Sequence, residues 1–139
     1  MGFLATMNKT AAQLVEEASA EIVTLSPEES LDLQQKGEAV LVDIRDIREL
    51  GRLGKIPGAL HAPRGMLEFW VDPESPYHRE EFTQTGKTYI FFCAAAWRSA
   101  LATRDLQSMG FGPVAHIEGG YKNWREKGMP ILEPEPKKQ

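Results

Sequence analysis

The stretch that most restricts what this chain can fold into runs from Lys87 to Gly110, KTYIFFCAAAWRSALATRDLQSMG. Residues 88–92 are β-branched, aromatic or aliphatic, the composition of a short buried strand. Residues 99–109 read as a helix stopped by Gly110, a residue suited to a left-handed C-terminal turn. Upstream, Ala39 to Asp43 is apolar until its last residue. A strand with no polar face has to be covered on both sides, as happens in parallel sheets whose crossover helices pack on the two faces. Strand runs near residues 21–25, 60 and 113–117, separated by helical runs, extend the pattern. The expected fold is α/β, a central mostly parallel sheet of about five strands with helices on both faces.

A length of 139 residues suits one domain. Ala11, Leu14, Val15 and Ala18 recur at helical spacing, so residues 1–20 form an extension bearing a short amphipathic helix. That helix packs either on the domain or on a partner, where it could pair two subunits as a homodimer. Residues 21–132 form the domain, and residues 133–139, with prolines among charges, form a disordered tail. Ser26-Pro27-Glu28-Glu29 has the order of a helix start, with a serine cap, a proline in the first turn and a glutamate three residues on. That helix ends near Lys36-Gly37. A short helix fits residues 65–71, and Gly119-Gly120 opens a last one with Tyr121 and Trp124 on its core side.

Charge and cysteine usage limit the function classes. A net charge of −4 does not favour nucleic acid or a membrane surface as partner. No apolar run approaches the roughly 18 residues of a membrane-crossing helix. There is no basic segment followed by an apolar core at the start, and the single cysteine suits a reducing compartment, so the expected location is cytoplasmic. Met1 to Thr6 satisfies a loose myristoylation pattern of the kind that short motifs match by chance.

Cys93 falls where the strand ends and the helix has yet to begin. A helix start presents unpaired N–H groups and the positive end of the dipole, and successive loop amides form a nest. Arg98 adds a permanent forked cation. All three favour a negatively charged sulfur, and the small side chains of Ala94, Ala95 and Ala96 let amides face it. Burial as a small hydrophobe is the ordinary fate of a free cysteine; the setting argues instead for a nucleophile. Asp43 and Arg45 also lie at a strand's carboxyl end, where ligands of open α/β sheets bind. The three histidines, His61, His78 and His116, show no metal-ligand spacing with Cys93. His78 could serve as a base, but a thiolate held by amides and a guanidinium needs none. Phe69, Trp70, Tyr77 and His78 could roof the cysteine pocket, or simply be core.

Cys93-x-x-x-x-Arg98-Ser99 resembles the active-site loop of the rhodanese family of sulfurtransferases. Leu41-Val42-Asp43-Ile44-Arg45 with Gly54-Lys55-Ile56-Pro57-Gly58-Ala59 is similar to that family's early block. Ile117-Glu118-Gly119-Gly120 through Trp124, then Gly128-Met129-Pro130, is similar to its closing block. The likeness runs from about Ile22 to Ile131. It implies a single rhodanese-like domain, with Cys93 as nucleophile, Ala94, Ala95, Ala96, Trp97, Arg98 and Ser99 as the substrate-binding loop, and Asp43 and Arg45 as its support. It implies transfer of sulfane sulfur from a small anionic donor such as thiosulfate to a thiol or cyanide through a persulfide, without metal or cofactor. With no second cysteine, the acceptor is a separate small or protein thiol. Two positions depart from the family pattern. Ala96 replaces a glycine, which costs about 1 kcal/mol or more if φ is positive there, and Lys55 replaces a histidine. The alternatives are a non-catalytic sulfur-carrier or binding module and a cysteine phosphatase or arsenate reductase. Phosphatase loops of this kind hold five residues between Cys and Arg, and this chain has four.

Overall fold

The computed structural model describes residues 7–134 and residue 136. The myristoylation pattern at residues 1–6 and the tail residues 135 and 137–139 lie outside the described residues.

Eleven principal elements follow in order: α1 (Ala11–Glu21), β1 (Val23–Leu25), α2 (Pro27–Gln35), β2 (Ala39–Asp43), α3 (Ile47–Leu53), β3 (Leu60–His61), α4 (Leu67–Val71), β4 (Thr88–Phe92), α5 (Trp97–Ser108), β5 (Val114–Ile117) and α6 (Gly120–Glu126). The strands make a five-stranded sheet in the order β1-β5-β4-β2-β3, and every pairing is parallel. This is the α/β architecture expected from the apolar strands. In β2 all five residues are buried, and in β4 all but Thr88.

Strand alternation divides the core in two. Val40, Val42, Tyr89, Phe91 and Cys93 share one cluster with Leu67 and Val71 of α4 and Ala102 and Leu106 of α5. Ala39, Leu41, Ile90 and Phe92 face the other way, onto Tyr121 and Trp124 of α6, with Leu31 and Leu33 of α2 packed alongside. Each such fully buried large side chain stabilises the fold by roughly 1.5–3 kcal/mol. The thiol is thus aimed by the register of its own strand toward α5.

Local signals placed most helix starts. Ser26 and Asp46 both close capping boxes, with Glu29 and Glu49 returning the bond to the cap's own N–H. Two boundaries differ from the sequence reading. The first strand begins at Val23, because α1 continues to Glu21 and brings Ala18 and Ile22 onto Ala100 of α5; α1 therefore packs on the domain itself. And α5 begins at Trp97, because Ala96 turns left-handed (φ 75°) and the helix starts directly after it. No helix among the described residues is long and apolar enough to cross a membrane.

Candidate active site

The sheet order sets the location. The chain leaves β2 toward β3 at one edge and leaves β4 toward β5 on the other side, so the segments following the adjacent strands β2 and β4 diverge and open a crevice between them. Asp43, the last residue of β2, pairs with Phe92, the last of β4. The Asp43–Arg45 corner and the Cys93–Ser99 loop therefore face each other across that crevice.

The Cys93 sulfur is only 1% exposed. Sγ accepts a hydrogen bond from the Ser99 N–H at 3.3 Å. Two carbonyls of the loop are taken by the first turn of α6: the Tyr121 N–H donates to the Cys93 carbonyl at 2.8 Å, and the Lys122 N–H to that of Ala94 at 3.1 Å. Because the C=O and N–H of one peptide point oppositely, this turns the Ala94 and Ala95 amides away from α6. The N–H groups of Ala94, Ala95, Ala96, Trp97 and Arg98 find no acceptor among the described residues. The approach of α6 requires Gly120 (φ 65°), where a Cβ would meet the Cys93 carbonyl oxygen at 2.5 Å. Ala96 is the only non-glycine residue with positive φ among those described, so the strain anticipated from its departure from glycine is present.

Arg98 is partly exposed and carries a carboxylate partner. Its Nη1 and Nη2 donate to the two Glu49 carboxylate oxygens at 2.9 and 3.0 Å. This pair raises the Arg98 pKa, with a smaller push from the nearby Cys93 sulfur, and Arg98 in turn holds the Glu49 carboxyl below its ordinary range. Glu49 was not singled out from sequence as a site residue. Its capping role was legible from Asp46-x-x-Glu49, but its reach to a residue 49 positions away was not.

Ser99 is fully buried, and its hydroxyl is 3.0 Å from His116 Nδ1; His116 Nε2 is 3.1 Å from the Thr24 hydroxyl. Burial pushes the His116 imidazole down to about 4, so it is neutral under ordinary conditions. The buried row Cys93, Ser99, His116, Thr24 ties the loop to β5 and β1. The other histidines serve elsewhere: His61 Nε2 donates to the Arg45 carbonyl at 2.7 Å, and His78 Nδ1 to that of Trp70 at 2.9 Å.

Across the crevice, Arg45 and Asp43 form a buried ion pair at 2.7 Å. Arg45 Nη2 also donates to the Gly54 carbonyl at 2.9 Å, and its guanidinium lies 4.1 Å from the centre of the Tyr121 ring. The Tyr121 hydroxyl donates to the Leu53 carbonyl. This group ties β2, α3 and α6 together behind the loop. Lys55 forms its bridge through the backbone, pairing with Leu132.

A cleft of about 510 Å³ opens beside Ala94 and Ala95, flanked by Arg52 of α3, by Tyr121, Lys122 and Arg125 of α6, and by Glu133. Phe69, Trp70, Tyr77 and His78 do not line it. Trp70 packs on Phe82, which stacks on Tyr89 at the opposite end of β4, and Phe69 meets Tyr77 edge-on at the surface. Trp97 stands exposed at the start of α5.

Comparison with known proteins agrees with this arrangement. A Rhodopseudomonas palustris protein of unknown function, described as a possible tyrosine phosphatase, has a solved structure that superposes with a TM-score of 0.87 at 46% identity, covering 94% of this chain and all of that one. The homodimeric polysulfide-sulfur transferase of Wolinella succinogenes is 35% identical, with a TM-score of 0.65, over 85% of this chain and 83% of its own. A sulfurtransferase of Allochromatium vinosum is 32% identical over 70% of this chain and 82% of its own. Several other curated relatives are longer, and the chain spans 56–58% of their length. The Rhodanese-like domain pattern covers residues 26–127, from the cap of α2 to the end of α6. With the cysteine loop, the β2 corner and the glycine-opened last helix all inside that span, the chain belongs to the rhodanese-like domain family.

Proposed function

We propose that the chain is a sulfurtransferase in which Cys93 carries sulfane sulfur as a persulfide. The observation that carries this reading is the sulfur at the end of β4 beside a run of amides, Ala94 to Arg98, that have no acceptor of their own. Such a row stabilises a single anionic atom as an oxyanion hole does. The Cys93 thiolate attacks the outer sulfur of thiosulfate; the sulfur–sulfur bond breaks, and sulfite leaves with the electron pair. The terminal sulfur of the persulfide then bears the negative charge that the amides receive. An acceptor thiolate, or cyanide in a test tube, attacks that terminal sulfur, and Cys93 departs as thiolate. Two steps on one nucleophile give ping-pong kinetics. Arg98, held by Glu49, contributes a fixed positive field rather than a free anion-binding fork. The acceptor is a separate thiol, and a lone cysteine that must remain reduced favours a reducing compartment such as the cytoplasm.

The test is mass spectrometry after thiosulfate treatment. A gain of about 32 Da on Cys93, lost on adding cyanide and absent from Cys93→Ser, is the expected result for covalent sulfur transfer. No gain with any sulfane donor leaves a binding module.

The name of the Rhodopseudomonas protein favours one second reading, phosphoester hydrolysis. The loop holds four residues between Cys93 and Arg98, and two of the Arg98 guanidinium N–H groups are already given to Glu49, which argues against a cradle for a tetrahedral phosphate. Turnover of p-nitrophenyl phosphate without persulfide formation would replace the sulfur reading.

A further inference from the structure

The cleft beside Ala94 and Ala95 is cationic in a chain of net charge −4. Arg52, Lys122 and Arg125 converge on it, and among the described residues neither Arg52 nor Lys122 forms an ion pair. Of the three, only Arg125 has a carboxylate partner among the described residues, brought from near the end of the chain: Glu133 Oε1 lies 3.1 Å from Arg125 Nη2, while Arg125 Nη1 donates to the Leu53 carbonyl at 3.1 Å. The segment carrying Glu133 is laid down by backbone bonds, with Lys55 and Leu132 exchanging N–H and C=O contacts at 3.0 and 2.7 Å. It runs so close to Gly54 that a Cβ there would meet the Leu132 carbonyl oxygen at 2.6 Å. The segment is fixed while its charge is not: the side chains of Arg125 and Glu133 are 46% and 63% exposed, and an exposed ion pair is weak because water and salt screen it. Another carboxylate can displace Glu133 at little cost.

We propose that this cleft seats the carboxylate end of a small acidic thiol, the sulfur acceptor, and that Glu133 is the chain's own carboxylate kept there until the acceptor displaces it. Arg125 and Lys122 hold the carboxylates, and Ala94 and Ala95, the two residues that follow Cys93, bring the acceptor alongside the loop that carries the sulfur. There the acceptor thiolate forms the new sulfur–sulfur bond and Cys93 leaves as thiolate. The acceptor role rests on the persulfide reading; carboxylate binding does not.

Two measurements separate them. The Cys93→Ser protein is titrated with succinate and with neutral succinamide, following the amide signals of Ala94, Ala95 and Lys122 by NMR. Succinate is expected to give saturable shifts and succinamide none. Glu133→Gln should tighten succinate binding about threefold and Arg125→Gln weaken it about fivefold, the scale of exposed charge pairs. Equal responses to the two probes, or a Glu133→Gln affinity equal to that of the wild type, overturn the proposal. In the second measurement the Cys93 persulfide is discharged by mercaptosuccinate and by mercaptoethanol at equal thiolate concentration. A preference of about tenfold for the diacid, lost in the Arg125→Gln, Lys122→Gln double variant, is expected for two seated charges; a ratio near one overturns the acceptor role. If no persulfide forms at all, the sulfurtransferase reading fails, and the succinate titration still decides the cleft.

Discussion

The two segments that follow β2 and β4 occupy neighbouring places on the sheet and are built on opposite plans. Behind β2, the Asp43 carboxylate and most of the Arg45 guanidinium are engaged, with each other, with the Gly54 carbonyl and with the Tyr121 ring; Arg45 Nη1 is buried without a partner among the described residues. Behind β4, successive amides of the Cys93 loop have no acceptor among the described residues, while the carbonyls of Cys93 and Ala94 are fastened to α6. One corner is a filled frame, and the other is a row of amides without partners among the described residues. A row of unpaired N–H groups collapses onto any available carbonyl unless its own carbonyls are tied elsewhere, so the rigidity of the first corner and of α6 is what keeps the second open.

Breaking the frame should give the largest effect. Arg45→Met leaves Asp43 buried without a counter-ion and is expected to destabilise the fold by about 3–5 kcal/mol in urea denaturation. Adding Asp43→Asn should recover much of that loss. If the double variant is no better than the single, the pair is not the frame's main element.

The clamp between the two segments gives a smaller effect. Glu49→Gln keeps the capping geometry, since glutamine fills the same box, but removes the charge opposite Arg98. Relief of about 0.5–1 kcal/mol of competition for a half-exposed guanidinium should lower the thiosulfate KM a few-fold. A raised KM would mean that Arg98 must be held by Glu49 to act.

Ala96→Gly sharpens the comparison from the loop side. Removing the Cβ at φ 75° should stabilise the protein by about 1 kcal/mol in thermal or chemical melts. An unchanged melting curve would show that the loop relaxes around the alanine without cost.

His116 contributes least at neutral pH and shows itself only on acidification. The His116 pKa falls from 6.5 to about 4 on folding, so between those values the unfolded imidazole binds a proton that the folded one refuses. Stability should therefore decline as pH drops through that window and be flat above it. Glu49, depressed from 4.5, adds its loss only at lower pH. His116→Asn should flatten the upper part of the decline; an identical slope would remove His116 as its source.

The sequence reading and the structure part company at contacts between distant residues. The placement of Cys93 between strand and helix, the two capping boxes and the opening of α6 by Gly119-Gly120 follow from neighbours a few residues apart. The Glu49–Arg98 clamp spans 49 positions and the Thr24–His116 contact 92, and no local signal joins them. Of the aromatic run at Phe69 to His78, which precedes β4 in the chain, Trp70 packs through Phe82 toward the far end of that strand, and Phe69 and Tyr77 meet at the surface.

What the amino-acid order determined by itself is the parallel sheet, its alternating helices and the position of one thiol at a strand's carboxyl end, because apolar periodicity and capping act within a turn or a strand's length. Only the tertiary structure decided that the thiol would be buried, that Arg98 would pair with Glu49, and that α1 would cover α5. These outcomes depend on which side chains the strand order brings face to face, and a polar group's partner is chosen by that proximity rather than by its distance along the chain.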